Sequence, residues 1–222
     1  MPKLRVHNLT ISLDGYAAGP NQSLDNPLGI GGAKLHEWAF ATQSFRRSHG
    51  MEGGEIGLED EIVALGESGI GATIMGRNMF GPMRGPWTDE EWKGWWGDDP
   101  PFHHPVFVLT HFQREPIEME GGTIFYFATD GIASALEQAF DSANGADVRV
   151  GGGSETIQQY LRAGLIDEMH VAIAPILLGG GTRLFDNLEG GAIEYKCVEL
   201  IGAPTIVHAR FSRSGASSTE AK

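Results

Sequence analysis

Residues 148–157 read VRVGGGSETI, an apolar β-branched run followed by three glycines and then by a segment suited to a helix. A strand that turns into a helix through glycines presents bare backbone N–H groups and the positive end of a helix dipole, and both favour an anion. Ser154 adds a hydroxyl acceptor at the start of the helix. The stretch therefore predicts a phosphate contact, although glycines that serve only a tight turn remain the alternative.

A second junction of this kind lies upstream. The apolar strand predicted at 72–75 ends in Gly76 and the cation Arg77. An arginine at a strand end can bind phosphate through two parallel hydrogen bonds, and its alternative fate is a solvated surface position. In open α/β sheets ligands bind beyond the carboxyl ends of the strands. Two such strand ends at one edge of a sheet indicate a dinucleotide.

Strand-like and helix-like patterns alternate through the rest of the chain, which predicts an α/β fold with helices on both faces of a mostly parallel sheet. The length favours a single domain over 1–211, and the small, polar residues 212–222 favour a disordered tail. The last two strands form an antiparallel C-terminal edge. Strands are predicted at 4–13, 72–75, 105–110, 122–127, 168–176, 193–201 and 205–211, and helices at 33–47, 59–67, 131–144 and 154–163.

Composition excludes several classes of protein. The net charge of −13 argues against nucleic-acid and anionic membrane partners, because both require a basic face. The single cysteine, Cys197, excludes an internal disulfide and a cysteine-cluster metal site, so no metal site is predicted and Cys197 is expected to fill the core. The sequence shows neither a signal peptide nor an apolar run long enough to span a membrane, and a cytoplasmic enzyme is expected.

Five segments follow one another along the chain: SLDG at 12–15, GR at 76–77, VLT at 108–110, VGGG at 150–153 and PILLGGGTRLF at 175–185. In this order they resemble the dihydrofolate-reductase-like superfamily, and within it the group related to the reductase domain of riboflavin biosynthesis. The resemblance spans 4–211 and implies a mostly parallel central sheet of about eight strands, flanked by helices, with NADPH as cofactor. The zinc motif of an attached deaminase is missing, so a stand-alone reductase is expected.

The resemblance also implies cofactor contacts at three strand ends. The first set would follow the pyrophosphate and the adenosine 2′-phosphate, the second the adenine-ribose pocket, and the third the pyrophosphate and nicotinamide. A cis peptide bond is expected between Gly151 and Gly152. The sets are Gly76, Arg77 and Asn78; Thr110 with His111 or Arg114; and Gly151, Gly152, Gly153, Ser154, Glu155 and Thr156.

Two acidic residues are candidates for the catalytic site. Asp14 belongs to the SLDG segment, which by resemblance lies near the nicotinamide and the substrate. Glu37 is on the predicted first helix, where dihydrofolate reductases carry an acid that assists protonation of a pterin. Its neighbours at 35–38 do not reproduce the folate-site pattern, so Glu37 and the adjacent His36 are weaker candidates than Asp14.

An insertion relative to the family at 82–104 carries four of the five tryptophans, interleaved with acidic residues. Three interpretations remain open: a lid that stacks on a heterocycle, a segment that packs on the core, and a dimer interface. Relatives are commonly dimers, and a homodimer is expected. The loop at 175–185 either contacts the substrate or packs Leu184 and Phe185 into the core.

The resemblance predicts an NADPH-dependent reductase that transfers a hydride to a small heterocycle with a pterin-, aminopyrimidine- or flavin-like ring. Two alternatives remain. The first is a nucleotide-binding module of the same fold without turnover, and the second is a structural protein whose glycines serve only turns.

Overall fold

The computed structural model describes residues 1–189 and 193–214. Its main sheet has nine strands in the order β10-β11-β8-β1-β7-β3-β4-β6-β5, and β2 pairs with β9 in a separate ribbon. The strands are β1 (Leu4–Ser12), β2 (Tyr16–Ala18), β3 (Ile70–Gly76), β4 (Pro105–Leu109), β5 (Ile117–Glu118), β6 (Ile124–Ala128), β7 (Asp147–Gly152), β8 (Glu168–Ala174), β9 (Thr182–Arg183), β10 (Tyr195–Gly202) and β11 (Val207–Arg213).

The centre of the sheet is parallel, with β1 between β7 and β8, β3 between β7 and β4, and β4 beside β6. The pairs β8–β11 and β10–β11 are antiparallel. The predicted α/β class with an antiparallel C-terminal edge is therefore confirmed. The α-helices are α1 (Glu37–Phe40), α2 (Gln43–Ser48), α3 (Leu58–Glu67), α4 (Arg77–Phe80), α5 (Gly131–Ser142) and α6 (Ser154–Arg162), and short 3-10 turns occupy Gly32–Leu35 and Glu120–Gly122.

Alternate residues along the strands point into cores on opposite faces of the sheet, as the period of a strand requires. On β8, Met169 and Val171 pack with α5 and α6, whereas Ala172 and Ala174 pack with α1 and α3. In a third cluster, side chains of the insertion pack against β3, β4 and β6, for example against Val106 on β4. Helices thus form a layer on each side of the sheet.

The helix predicted at 33–47 is wrong as a continuous element. Thr42 adopts an extended conformation, with φ −72° and ψ 150°, and its side-chain oxygen accepts a hydrogen bond from the Phe45 N–H. The N–H of Gln43 donates to the carbonyl of Glu55, 2.9 Å away. Thr42 therefore ends one helical turn and caps the next helix. The apolar spacing continues across Thr42, so it gives no sign of this break.

Three buried histidines lie between β1, β8, β11 and helix α1. A bulge at Asn8, where φ is 60°, directs its N–H to Nδ1 of His170 at 3.2 Å. Nε2 of His170 is 3.1 Å from Nδ1 of His208, and His7 lies on the other side of His170 with a ring separation of 6.0 Å. The Trp38 ring is 4.8 Å from that of His208. We call His7, His170 and His208 the histidine cluster.

The C-terminal edge differs from expectation in two ways. Cys197 is exposed, so the prediction that it fills the core is wrong. The reason is that β10 is the outermost strand and its two faces are largely uncovered in this chain. Strand β11 continues to Arg213, where an ion pair with Asp167 holds it, and residues 215–222 of the predicted tail lie outside the described residues. No helix in the described part of the chain has the length and apolarity needed to cross a membrane.

Candidate active site

A cavity of about 680 Å³ lies at the carboxyl ends of β3, β4, β6 and β7. Register pairs Gly76 with Leu109 and Met75 with Gly152, so the three predicted junctions lie side by side. Eleven of the twelve predicted cofactor residues line this cavity, and Arg114 does not. The eleven are Gly76, Arg77, Asn78, Thr110, His111, Gly151, Gly152, Gly153, Ser154, Glu155 and Thr156.

The glycine junction, residues 151–153, presents backbone atoms and no side chains to the cavity. Gly153 occupies the cap position of α6, and a Cβ added there would meet no atom within 4 Å. Ser154 is the first helical residue and Gly153 is the cap, so the predicted capping role of Ser154 is wrong because the helix begins one residue earlier than a serine cap requires. The cis peptide bond joins Gly152 and Gly153, one residue beyond the predicted pair. Three identical residues in a row carry no signal that separates the two positions.

Gly76 connects the two junctions. A Cβ at this position would collide with the hydroxyl of Thr156 in the first turn of α6. Only glycine lets the end of β3 approach that helix so closely. The contact keeps Arg77 and the amides around Gly153 on the same side of the cavity.

Arg77 is a cation without an acidic partner among the described residues. Its guanidinium carbon lies 3.0 Å from the centroid of the Trp87 ring, and Nη1 donates to Oγ1 of Thr110 at 3.4 Å. The atoms Nε and Nη2 are buried and have no hydrogen-bond partner in the described protein. Burial, and then the charges of Arg114 and Arg84, lower the pKa of Arg77 to about 10. The side chain therefore stays charged at neutral pH, and two of its donors are unsatisfied within the described protein.

Arg84 and Arg114 differ in their relation to the cavity. Arg114 stacks on Trp87 at 4.8 Å and on Phe127 at 5.4 Å and donates to the carbonyl of Glu90, so it supports Trp87 from outside the cavity. Arg84 does line the cavity, close enough to Arg77 to affect its pKa. The sequence analysis missed Arg84, because an arginine in an irregular insertion follows no pattern that predicts its position.

Asp14 lies outside the cavity lining, in a network of hydrogen bonds. Its carboxylate accepts from the hydroxyl of Ser12 at 2.5 Å and from the backbone N–H groups of Leu178 and Gly179 at 3.1 and 2.8 Å. The Ser12 hydrogen bond is the main reason that the pKa of Asp14 falls to about 2, and the two backbone bonds act in the same direction. An ionised Asp14 therefore ties the end of β1 to the loop that follows β8.

The segment 36–49, which contains α1 and α2, contributes four rings to the cavity. His36, Phe40, Phe45 and His49 all line it, and successive ring centroids are 5.9, 5.0 and 4.0 Å apart. We call these four residues the aromatic row. Burial lowers the pKa of His36 to about 4, so its imidazole is neutral at pH 7. Glu37 is exposed on α1 and is not part of the lining.

The insertion packs on the core, as one of its three predicted interpretations has it, and it also reaches the cavity. Trp87, Trp92 and Trp96 pack against the core around Phe80 and Phe125. The indole N–H of Trp92 donates to the carbonyl of Phe80 at 3.0 Å. Trp96 also lines the cavity, together with Trp95. The segment is thus anchored to the core and forms part of the cavity wall.

The loop after β8 is divided between core and surface. Leu184 is fully buried as predicted, whereas Phe185 is 48% exposed, so its predicted packing in the core is wrong. Pairing of β9 with β2 orients Arg183 towards Tyr16, where its guanidinium carbon lies 4.6 Å from the ring centroid, and this leaves Phe185 beyond the ribbon. Thr182 in the same loop lines the cavity.

Comparison with known proteins gives a family and several structural relatives. The model of the family described as the RibD C-terminal domain matches residues 2–206. A structure from Shewanella sp. PV-4, provisionally assigned to riboflavin biosynthesis, is 23% identical with a TM-score of 0.62, and the match covers 96% of this chain and 99% of that one. No curated protein sequence matches the chain.

Two further structures connect the fold to reductases. The riboflavin biosynthesis reductase of Saccharomyces cerevisiae is 16% identical with a TM-score of 0.50, and the match covers 96% of this chain and 89% of that one. Dihydrofolate reductase from Enterococcus faecalis, solved with NADP(H) and RAB-propyl, is 13% identical with a TM-score of 0.52, covering 95% and 96%. At these identities the likeness establishes the fold alone, and it confirms the expected dihydrofolate-reductase-like architecture.

Proposed function

We propose that this chain, which belongs to the RibD C-terminal domain family, is an NADPH-dependent reductase that transfers a hydride to a small heterocycle. The observation that carries the proposal is Arg77, whose Nε and Nη2 are buried donors without a partner in the described protein, beside a main-chain surface of glycines that lines the cavity. Buried polar groups are nearly always satisfied, so unpartnered donors of a cation that lines a cavity fit a bound anion. In a chain with a net charge of −13, that site requires its own cations.

The residues present fit a dinucleotide phosphate. Arg77 and Arg84 would hold the 2′-phosphate, because guanidinium groups pair with phosphate oxygens through parallel hydrogen bonds. The amides of Gly151, Gly152 and Gly153, at the N-terminus of α6, would hold the pyrophosphate. Thr110 and His111 would line the adenosine side. These roles are proposals for residues that share one cavity.

When bound, NADPH would supply a hydride from C4 of its nicotinamide ring. The protein would orient the two rings and exclude water. Asp14, whose pKa is lowered to about 2, is ionised at neutral pH and therefore cannot donate a proton there. We propose that it positions the loop at Leu178 and Gly179. His36 is a titratable side chain of the cavity wall, whereas Glu37 requires a change of conformation to reach the cavity.

Thermal unfolding with and without coenzyme tests the proposal. A ligand at 100 times its dissociation constant stabilises the folded state by about 2.7 kcal/mol. We expect a rise in Tm with NADPH and a smaller rise with NADH. A Tm that neither coenzyme changes contradicts both the reductase and the nucleotide-binding module. Turnover is then measured as loss of the absorbance of NADPH with a panel of pterins, aminopyrimidines and flavins, and binding without turnover favours the nucleotide-binding module.

The proposal includes a homodimer in the cytoplasm. Val198 and Leu200 on the outer strand β10 are 58% and 69% exposed in the single chain, and a second copy would cover them. Light scattering coupled to gel filtration measures the mass directly. A mass of one chain at micromolar concentration contradicts the dimer without affecting the proposed reaction.

A further inference from the structure

The charges that line the cavity are confined to its cofactor side. Arg77, Arg84 and Glu155 are the only lysine, arginine, aspartate or glutamate side chains among the described lining residues. Arg77 follows β3, and Arg84 is near enough to lower its pKa. Glu155 lies in the first turn of α6, next to the glycine junction. The cations and the main-chain amides are therefore grouped where the phosphates of a dinucleotide would lie.

The opposite wall is built from the first fifty residues and has a different chemistry. The aromatic row forms one part of it, and Phe40 stays 37% exposed although it is a large ring. Apolar side chains and one amide complete the wall. They are Leu9, Ala17, Ala18, Gln22, Pro27 and Leu28.

This wall offers flat rings, and its described lining residues include no lysine or arginine. A phosphate group placed there would lose part of its hydration without gaining a lysine or arginine partner, and the burial of an unpaired ion is unfavourable. A planar heterocycle would gain stacking contacts with Phe40 and Phe45 instead. Neutral His36 can exchange a hydrogen bond with a ring nitrogen or carbonyl without adding charge.

We infer that the substrate is an uncharged, planar heterocycle without a phosphate group, and that it stacks on the aromatic row. This inference rests on the proposed function, which assigns the cationic side of the cavity to the coenzyme. It separates this chain from a reductase whose substrate is recognised through a sugar phosphate. The whole cavity then has one anionic occupant and one neutral occupant.

Matched pairs of ligands test the inference. Riboflavin is compared with riboflavin 5′-phosphate, and 6-hydroxymethylpterin with its phosphate ester, by quenching of tryptophan fluorescence in protein saturated with NADP⁺. We expect the unphosphorylated member of at least one pair to bind at least tenfold more tightly than its phosphate. Equal or tighter binding of both phosphates overturns the inference, and so does the absence of binding by all four compounds.

Two variants test the stacking surface. Phe40→Ala should weaken binding of the preferred ring at least fivefold, and Phe40→Leu, which keeps apolar volume but removes the flat face, should weaken it in the same direction. Phe185→Ala is the matched control, because Phe185 is an exposed phenylalanine outside the cavity. Unchanged ring affinity in both Phe40 variants overturns the inference. Failure of NADP⁺ to bind the unaltered protein counts instead against the proposed function, since ring binding is also measured without it.

Discussion

The histidine cluster makes stability depend on pH in a window that can be calculated. Burial is the main cause that lowers the pKa of His7 and of His170 to about 3 each. Positive neighbours act in the same direction, namely Arg5, Arg149 and Arg210 around His7, and Arg210 near His170. The pKa of His208 is also lowered, although Glu59 opposes the shift. The folded protein therefore keeps these imidazoles neutral in moderate acid.

The unfolded chain behaves differently, because its histidines bind protons below their ordinary pKa of 6.5. These histidines therefore do not lower the free energy of unfolding above pH 6.5, and they lower it progressively as the pH drops from 6.5 towards 3. Each histidine that stays neutral in the folded state costs about 1.4 kcal/mol per pH unit in that window. At pH 5 His7 and His170 together lower the free energy of unfolding by about 4 kcal/mol, a large part of the ~5–15 kcal/mol of a typical domain.

Urea unfolding at pH 7.5, 6 and 5, followed by tryptophan fluorescence, measures this loss. The window lies above the acid range in which Asp14, with its pKa lowered to about 2, takes up a proton. His7→Phe should reduce the loss between pH 7.5 and 5 by about 2 kcal/mol, since His7 makes no side-chain hydrogen bond with a described residue. A free energy of unfolding that changes by less than about 1 kcal/mol over this range would refute the assignment of neutral buried histidines.

Three further predictions concern the cavity. In equilibrium titrations, Arg77→Ala should weaken NADPH binding about 10- to 100-fold and NADH binding less than about threefold, because it removes one charge-assisted contact with phosphate. Arg47→Ala, on the exposed side of α2, is the control and should change neither affinity. Gly76→Ala should lower the free energy of unfolding in urea by about 1–3 kcal/mol and weaken NADPH binding, because the added Cβ would collide with Thr156. Gly202→Ala is the control, since its Cβ would meet no atom within 4 Å. Asp14→Asn removes the charge that accepts hydrogen bonds from the amides of Leu178 and Gly179, so amide hydrogen exchange at Gly179 should accelerate while NADPH affinity stays within about twofold. An unchanged exchange rate would show that the loop does not depend on this carboxylate.

Features of the fold and the cofactor side that depend on local sequence were predictable. A strand that ends in glycine has the same local signal wherever it occurs, and parallel strands bring such ends together. For this reason Gly76 and Gly153 could be placed in one site before any tertiary contact was known. Arg77 could be placed with them because it follows its strand directly.

Features that depend on distant packing were not predictable. Asp14 accepts hydrogen bonds from residues 164 and 165 positions away, and a sequence pattern carries no trace of that contact. Thr42 interrupts a helix whose apolar spacing continues through it. Arg84 reaches the cavity only because tryptophans anchor the insertion to the core. The exposure of Cys197 depends on which strand is outermost, and alternation along that strand does not reveal this.

The two sides of the cavity are built from different parts of the fold. The proposed coenzyme site lies at the ends of β3 and β7, where it is formed by main-chain amides and by Arg77. The aromatic row and the insertion are made of side chains on segments outside the central sheet. On the proposed function, substitutions in these segments would change which planar ring is bound without altering the coenzyme site, so new substrate specificities could evolve on an unchanged sheet.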